Sequence, residues 1–327
     1  MITLEMVNAF ESYDGVSDLF RGDVIPNALN VKILGYYDHK NLLHIAIESN
    51  VDSFKSIEIN GMSVLFQNIN TENQGSFSAL VFTCRSNAFK DYFIKIINEI
   101  LHKTLKGGSI EGNTPYIIDN WLYFLNLPIK DKLTSDQILG LVGELLSLES
   151  FCKLGMSVDL AIDAWQGPFG AKRDFMFKSV EIEVKASSKQ SGHIHKINSL
   201  EQLSFEEGEK VLVYSWNIYR DRSKKSPSIV DIVNRIRDEH LITPSQLSEF
   251  NSRLYEVGLD LRDFNDYLSD RFQISSYFIC RVSENFPRIT PDSFKNKLSK
   301  RIGNVEYDID LNGFLELDIK DIVSEIH

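Results

Sequence analysis

Four runs near the start of the chain, 31–37, 42–48, 57–66 and 77–84, are rich in β-branched and aromatic residues and are separated by turn-forming residues, the pattern of a strand meander. From Asn87 onward Phe89, Tyr92, Phe93, Ile96, Ile97, Ile100 and Leu101 recur at helical spacing. With Asn87 as cap they predict a helix over 87–101 that covers the sheet. The Gly-rich stretch Lys106 to Pro115 reads as a linker. A β-rich first region is therefore expected at 1–105 and a linker at 106–133.

The spacing Thr134-Ser-Asp-Gln137 is that of a capping box and opens a helix expected to run to about Leu154 and stop at Gly155. Ser157 to Trp165 and Val180 to Ala186 alternate apolar and polar residues, predicting strands, with a further strand at Arg173 to Phe177. Lys210 to Tyr219 is almost continuously apolar, as in a strand buried on both faces. These segments delimit a core at 134–226. From 227 to 327 the pattern predicts helices near 229–239, 245–256 and 261–271, a strand near 275–282, a short helix near 292–301 and a final β segment. The fold class expected is α+β, a core with a mixed central sheet flanked by an N-terminal β-rich region and a C-terminal α+β region.

Composition narrows the class. The 327 residues are 43% hydrophobic and 25% charged, values of a globular chain that exclude a disordered one. No signal-type apolar run opens the chain and no stretch approaches the ~18 apolar residues of a membrane span, so a soluble, cytoplasmic protein with no membrane partner is expected. Cys84, Cys152 and Cys280 are far apart in apolar contexts and read as core thiols. The net charge of −11 argues against a free-standing, non-specific nucleic-acid binder. Between Ala171 and Lys225, however, eleven Lys/Arg stand against eight Asp/Glu, leaving that stretch at +3 and the remainder at −14.

Chemistry concentrates in the same stretch. On a helical wheel Glu144 falls among Leu141, Leu148 and Phe151, so its carboxylate follows an apolar stripe and needs a cation, a donor, a proton or an escape to solvent. Gly140 and Gly143 would let that helix approach a sheet or ligand closely. A hairpin closed at Lys178-Ser179 places Asp174 opposite Glu183, with Cβ atoms about 4.5 to 5.5 Å apart, where like charges call for a shared cation or proton. A divalent metal satisfies that geometry.

Gly140-Leu-Val-Gly-Glu-Leu145, Trp165-Gln-Gly167, Arg173-Asp-Phe175 and Glu183-Val-Lys185, followed by His193-Ile-His195 and Glu201-Gln-Leu203, resemble the PD-(D/E)XK nuclease superfamily, with its restriction-endonuclease-like core. More narrowly, the same motifs look like a bacterial family of PD-(D/E)XK motif proteins, whose members tend to occur near phage-defence and restriction genes. It implies that Asp174, Glu183 and Glu144 hold Mg²⁺, with Mn²⁺ as a substitute, and that Lys185 orients or deprotonates water. Arg173 stands where the superfamily motif has Pro, and the nine-residue interval from Asp174 to Glu183 is short for it.

His193 and His195, with Ser187 or Ser188, Lys189 and Lys196, form a polar cationic stretch suited to positioning a nucleic-acid backbone, or else an ordinary solvated loop. Gln202 matches a supporting Gln of the superfamily or is a surface residue. The run Arg220 to Lys225 tracks phosphates or is an exposed turn. The resulting expectation is a Mg²⁺-dependent DNA endonuclease of a restriction or phage-defence system, partnered by DNA and by defence proteins or a second copy of the chain, with no organic cofactor. The alternatives are a non-catalytic nuclease-like scaffold in a multi-protein assembly and a metal-dependent RNase.

Overall fold

The fold is that of a computed structural model describing all residues except 1, 11–21, 72–74, 87–88, 129, 207, 222–224, 291–292, 295–301, 303–304 and 327. The chain divides into two compact units, Met1–Pro128 and Ile129–His327.

The first unit opens with a short helix α1 (Leu4–Asn8) and builds one antiparallel sheet in the order β1-β2-β3-β6-β5-β4. Its strands are β1 (Gly22–Val24), β2 (Ile33–Tyr37), β3 (Leu43–Glu48), β4 (Ile57–Ile59), β5 (Met62–Thr71) and β6 (Gly75–Cys84). The single strand expected over 57–66 is two strands. Asn60-Gly61 closes a two-residue hairpin with Gly61 at φ +98°, pairing Ile59 with Met62. Helix α2 (Lys90–Lys106) buries Phe93, Ile94, Ile96, Ile97, Ile100 and Leu101. Asn87, its expected cap, lies outside the described residues. The expected linker contains a second helix, α3 (Ile110–Leu125), although Pro115 sits inside it. Ile117, Ile118 and Trp121 are buried along it, and that burial outweighs the backbone bond the proline forfeits.

The second unit is built on a mixed sheet in the order β11-β10-β8-β7. These strands are β7 (Phe175–Met176), β8 (Glu181–Ser187), β10 (Val211–Asp221) and β11 (Arg271–Arg281), with β8 and β10 parallel and the other pairs antiparallel. A two-stranded ribbon pairs β9 (Ile194–Ile197) with β12 (Tyr307–Asp310). Helix α4 (Ser135–Lys153) starts at the capping box foreseen: Thr134 accepts from the Gln137 N–H, and the Gln137 side chain accepts from the Thr134 N–H.

The segment 157–165 is not a strand. Ser157 caps α5 (Val158–Ala164) by accepting from the Leu160 N–H, so local capping overrides the apolar-polar alternation. Helices α6 (Ile229–Glu239) and α7 (Pro244–Val257) follow expectation. The third expected helix is cut short to a 3-10 turn at Leu261–Asp263 and α8 (Phe264–Tyr267), because β11 already begins at Arg271, paired with Asp221. The short helix expected at 292–301 falls almost wholly outside the described residues. A terminal helix, α9 (Ile319–Ile326), was not foreseen.

The C-terminal segment is part of the core rather than an appendage to it. β11 completes the sheet, and Ile309 and Leu311 join Ile197, Val211, Val213 and Cys280 in one buried cluster. On the opposite face α4 lies against β8, where a Cβ built on Gly143 would meet Ala186 Cβ at 3.2 Å and Val184 Cγ1 at 3.3 Å. Gly143 therefore permits the close approach foreseen for it, whereas Gly140 faces open space.

Candidate functional site

Strand β7 is short, and the site lies where it stops. The hairpin turns at Lys178-Ser179, with the Phe177 N–H donating to the Val180 carbonyl, and pairs Phe175 with Ile182 and Met176 with Glu181. Continued by one residue, this register sets Asp174 beside Glu183. The Val184 N–H on β8 thus has no ladder partner on that side, and Asp174 Oδ2 accepts from it at 2.7 Å. The Asp174 carbonyl accepts from the Gln166 and Gly167 N–H groups at 2.8 and 3.0 Å, which clamps the loop after α5 to the same point.

Glu144 reaches that point from α4. Its Oε2 accepts the Trp165 indole N–H at 2.7 Å. A Cβ on Gly167 would stand 2.8 Å from Glu144 Oε2 and 3.0 Å from Asp174 Oδ1, so both carboxylates border the space a side chain there would fill. Glu183 is buried on β8 and its Oε1 lies 2.9 Å from Lys185 Nζ. Lys185 Nζ also donates to Gln202 Oε1 at 3.1 Å, and the same oxygen accepts from the Asn198 N–H.

Burial pushes the Glu144 carboxyl up to about 7; the Trp165 bond opposes this, and the charge of Glu183 adds to it. Burial likewise raises Asp174 well above the usual carboxylate range, followed by repulsion from Glu183 and Glu144, against the Val184 bond. This is the signature of acidic groups crowded without enough positive charge, and oxygen donors of this kind suit a hard divalent cation. Glu144, Asp174 and Glu183 are not all within 4.8 Å of one another. The trio that meets that spacing among the described residues is Glu149, Glu239 and His240. Glu149, however, is ion-paired with Arg235 through both oxygens and with Lys153 at 2.8 Å, so its charge is already spent.

The expected backbone-binding stretch divides. Lys189 and Lys196 are exposed, but acidic residues on and next to β12 pair with them, Asp308 with Lys189 at 3.0 Å and Glu306 with Lys196. Ser188 is exposed, while Ser187 is buried and accepts from the Lys189 N–H. The expectation that His193 and His195 meet phosphate is corrected, because they are only 7% and 2% exposed. His193 Nδ1 and His195 Nε2 both lie 2.6 Å from Ser215 Oγ, and His193 Nε2 lies 2.9 Å from Ser276 Oγ. Burial, then the neighbouring cationic groups, pushes His195 down to about 3, so it is neutral near pH 7. Half of the run Arg220 to Lys225, residues 222–224, lies outside the described residues, and Arg220 pairs with Asp270.

Three residues given no role from the sequence organise the site. Trp165 holds Glu144, Gly167 leaves room for it, and Arg173 is buried with its guanidinium donating to the carbonyls of Lys172, Glu201 and Ser204. Arg173 thereby fastens the strand carrying Asp174 to the turn carrying Gln202. The Trp-Gln-Gly triplet just ahead of Arg-Asp-Phe was the available signal for the first two.

No described helix is long and apolar enough to cross a membrane. No curated protein and no solved structure matches the chain. A family model described as "Putative PD-(D/E)XK family member, (DUF4420)" matches residues 25–312, and the chain belongs to that family.

Proposed function

We propose that this PD-(D/E)XK family member is a Mg²⁺-dependent phosphodiester hydrolase, a DNA endonuclease working in a restriction or phage-defence system. The observation that carries the reading is the meeting of Glu144 Oε2 and Asp174 Oδ1 at the Cβ-less face of Gly167, beside the Glu183–Lys185 pair. Two half-buried acids with raised pKa values, whose neighbouring cation, Lys185, is already paired with Glu183, call for a further cation, and Asp174, Glu183 and Glu144 would hold it. When bound, Mg²⁺ would polarise the scissile phosphate and make water more acidic.

The remaining roles belong to side chains. Lys185, steadied by Glu183 and Gln202, offers its ammonium to the charge that grows on the phosphate oxygens and orients the attacking water. Trp165 keeps Glu144 oriented. Arg173 keeps the Asp174 strand and the Gln202 turn in fixed relation.

The test is cleavage of supercoiled plasmid and phage DNA in Mg²⁺, in Mn²⁺ and in EDTA, by the wild type and by Lys185→Ala and Asp174→Asn. Cleavage should need the metal and vanish in both variants. Metal-independent cleavage, or full activity in Lys185→Ala, overturns the reading. The acidic partners of Lys189 and Lys196 favour a second reading, a nuclease-like scaffold within a protein assembly, since those two lysines are engaged with carboxylates rather than open to a polyanion. Pull-down from the native host separates the two: recovery with stable partners and no cleavage supports the scaffold.

A further inference from the structure

Phe169 is 53% exposed although it sits two residues from Gly167, the glycine that borders both carboxylates. Two residues of chain span at most about 7 Å, so the Phe169 backbone lies within that distance of the glycine. Its position is built rather than incidental. Gly167-Pro168-Phe169 forms a 3-10 turn closed by Gly170 at φ +68°, and the Arg253 guanidinium lies 5.0 Å from the ring centroid. Arg253 is itself buried and bonded to the Trp165 carbonyl and to Glu249, so the cation behind the ring is fixed before any ligand arrives. Met176, a second exposed apolar side chain, pairs with Glu181, two residues before Glu183 on β8 and so on the face of β8 that carries Glu183.

A duplex hides its base faces in the stack and is gripped mainly through its phosphates, so an exposed ring gains it little. A single strand exposes base faces that stack on aromatic side chains whatever the sequence.

We propose that the substrate is single-stranded or locally unpaired nucleic acid, held beside the carboxylates by stacking of a base on Phe169. This rests on the hydrolase reading for the chemistry, while the stacking itself is tested apart from it. Fluorescence anisotropy in EDTA, which stops turnover, compares one labelled oligonucleotide as single-stranded DNA, as single-stranded RNA and as a blunt DNA duplex. The single strand should bind more tightly than the duplex, Phe169→Ala should weaken it about tenfold or more, and Phe169→Trp should retain it.

Tighter binding of RNA supports the same surface with ribose as the sugar. Preference for the duplex, unchanged binding in Phe169→Ala, or no binding to any strand overturns the proposal. Phe169-dependent binding with no metal-dependent cleavage would sink the hydrolase reading and keep the stacking surface. Lys185-dependent cleavage indifferent to Phe169 would do the reverse.

Discussion

Trp165 donates its indole N–H to Glu144 across 2.7 Å, and through that bond the loop after α5 sets the orientation of a carboxylate on α4. The bond also opposes the upward push of burial on Glu144. Trp165→Phe keeps an aromatic ring against Phe250 and removes the donor, at the cost of a small cavity in the core. Glu144 should then hold its proton more tightly. Mn²⁺ affinity measured by calorimetry near pH 7 should fall about 10- to 100-fold, as when a partner of a metal ligand is lost. Unchanged affinity would show that the indole bond does not prepare Glu144 for a cation.

Gly167→Ala tests the shared space directly. The new Cβ would press on the far ends of two acidic side chains rather than on the hydrophobic core, and Gly167 is not among the residues with positive φ. The thermal midpoint should stay within a few degrees of wild type, a change on the order of 1 kcal/mol. Mn²⁺ binding and cleavage should both fall at least about tenfold, because ligand positions must be held to within about half an ångström. A variant that melts normally and binds Mn²⁺ as wild type does would separate Gly167 from the site.

What could be read ahead of the structure follows the range of the interactions. Turns and caps between near neighbours were legible: the Thr134 box and the hairpin at Lys178-Ser179. Ser157 misled because alternation in Val158 to Ala164 fits a strand as well as a short helix, and only its bond to Leu160 decides. Asn60-Gly61 is a hairpin signal hidden within a β-rich run. Pairings between distant segments left no local trace. Nothing near Ile309 or Cys280 announces that they share a core with Val213, and nothing near His195 announces that β12 will cover it. The burial of both histidines comes from distant strands, His195 lying opposite Ile309 and against Ser215, and His193 against Ser215, Ser276 and Phe278.

Gly140 and Gly143 sit in one helix, yet should respond in opposite senses. Nothing lies within 4 Å of a Cβ on Gly140, so Gly140→Ala gains helix propensity and should raise stability by up to about 1 kcal/mol. A branched side chain at 143 must displace Val184 and Ala186 on β8, so Gly143→Val should cost about 1 to 3 kcal/mol. Urea unfolding of both variants checks the pair. Equal responses would mean that α4 does not approach the sheet through Gly143.

Glu149 offers a contrast with Glu144, since both are acids on α4 in apolar surroundings. Burial alone would raise the Glu149 pKa, but the hydrogen bonds and charges of Arg235 and Lys153 outweigh it and hold the carboxyl below its usual range. A carboxylate depressed in the folded state stabilises it above the unfolded-state pKa, and that contribution is lost as pH falls through the folded value. Glu149→Gln should therefore cost about 1 to 3 kcal/mol at pH 7, with the gap to wild type narrowing as the medium is acidified below about pH 4.5. Because its charge is committed to those two cations, the same variant should bind Mn²⁺ like the wild type, whereas Asp174→Asn should not. A gap independent of pH would mean that the ion pair contributes nothing to stability. Loss of Mn²⁺ binding in Glu149→Gln would move the metal to Glu149, Glu239 and His240.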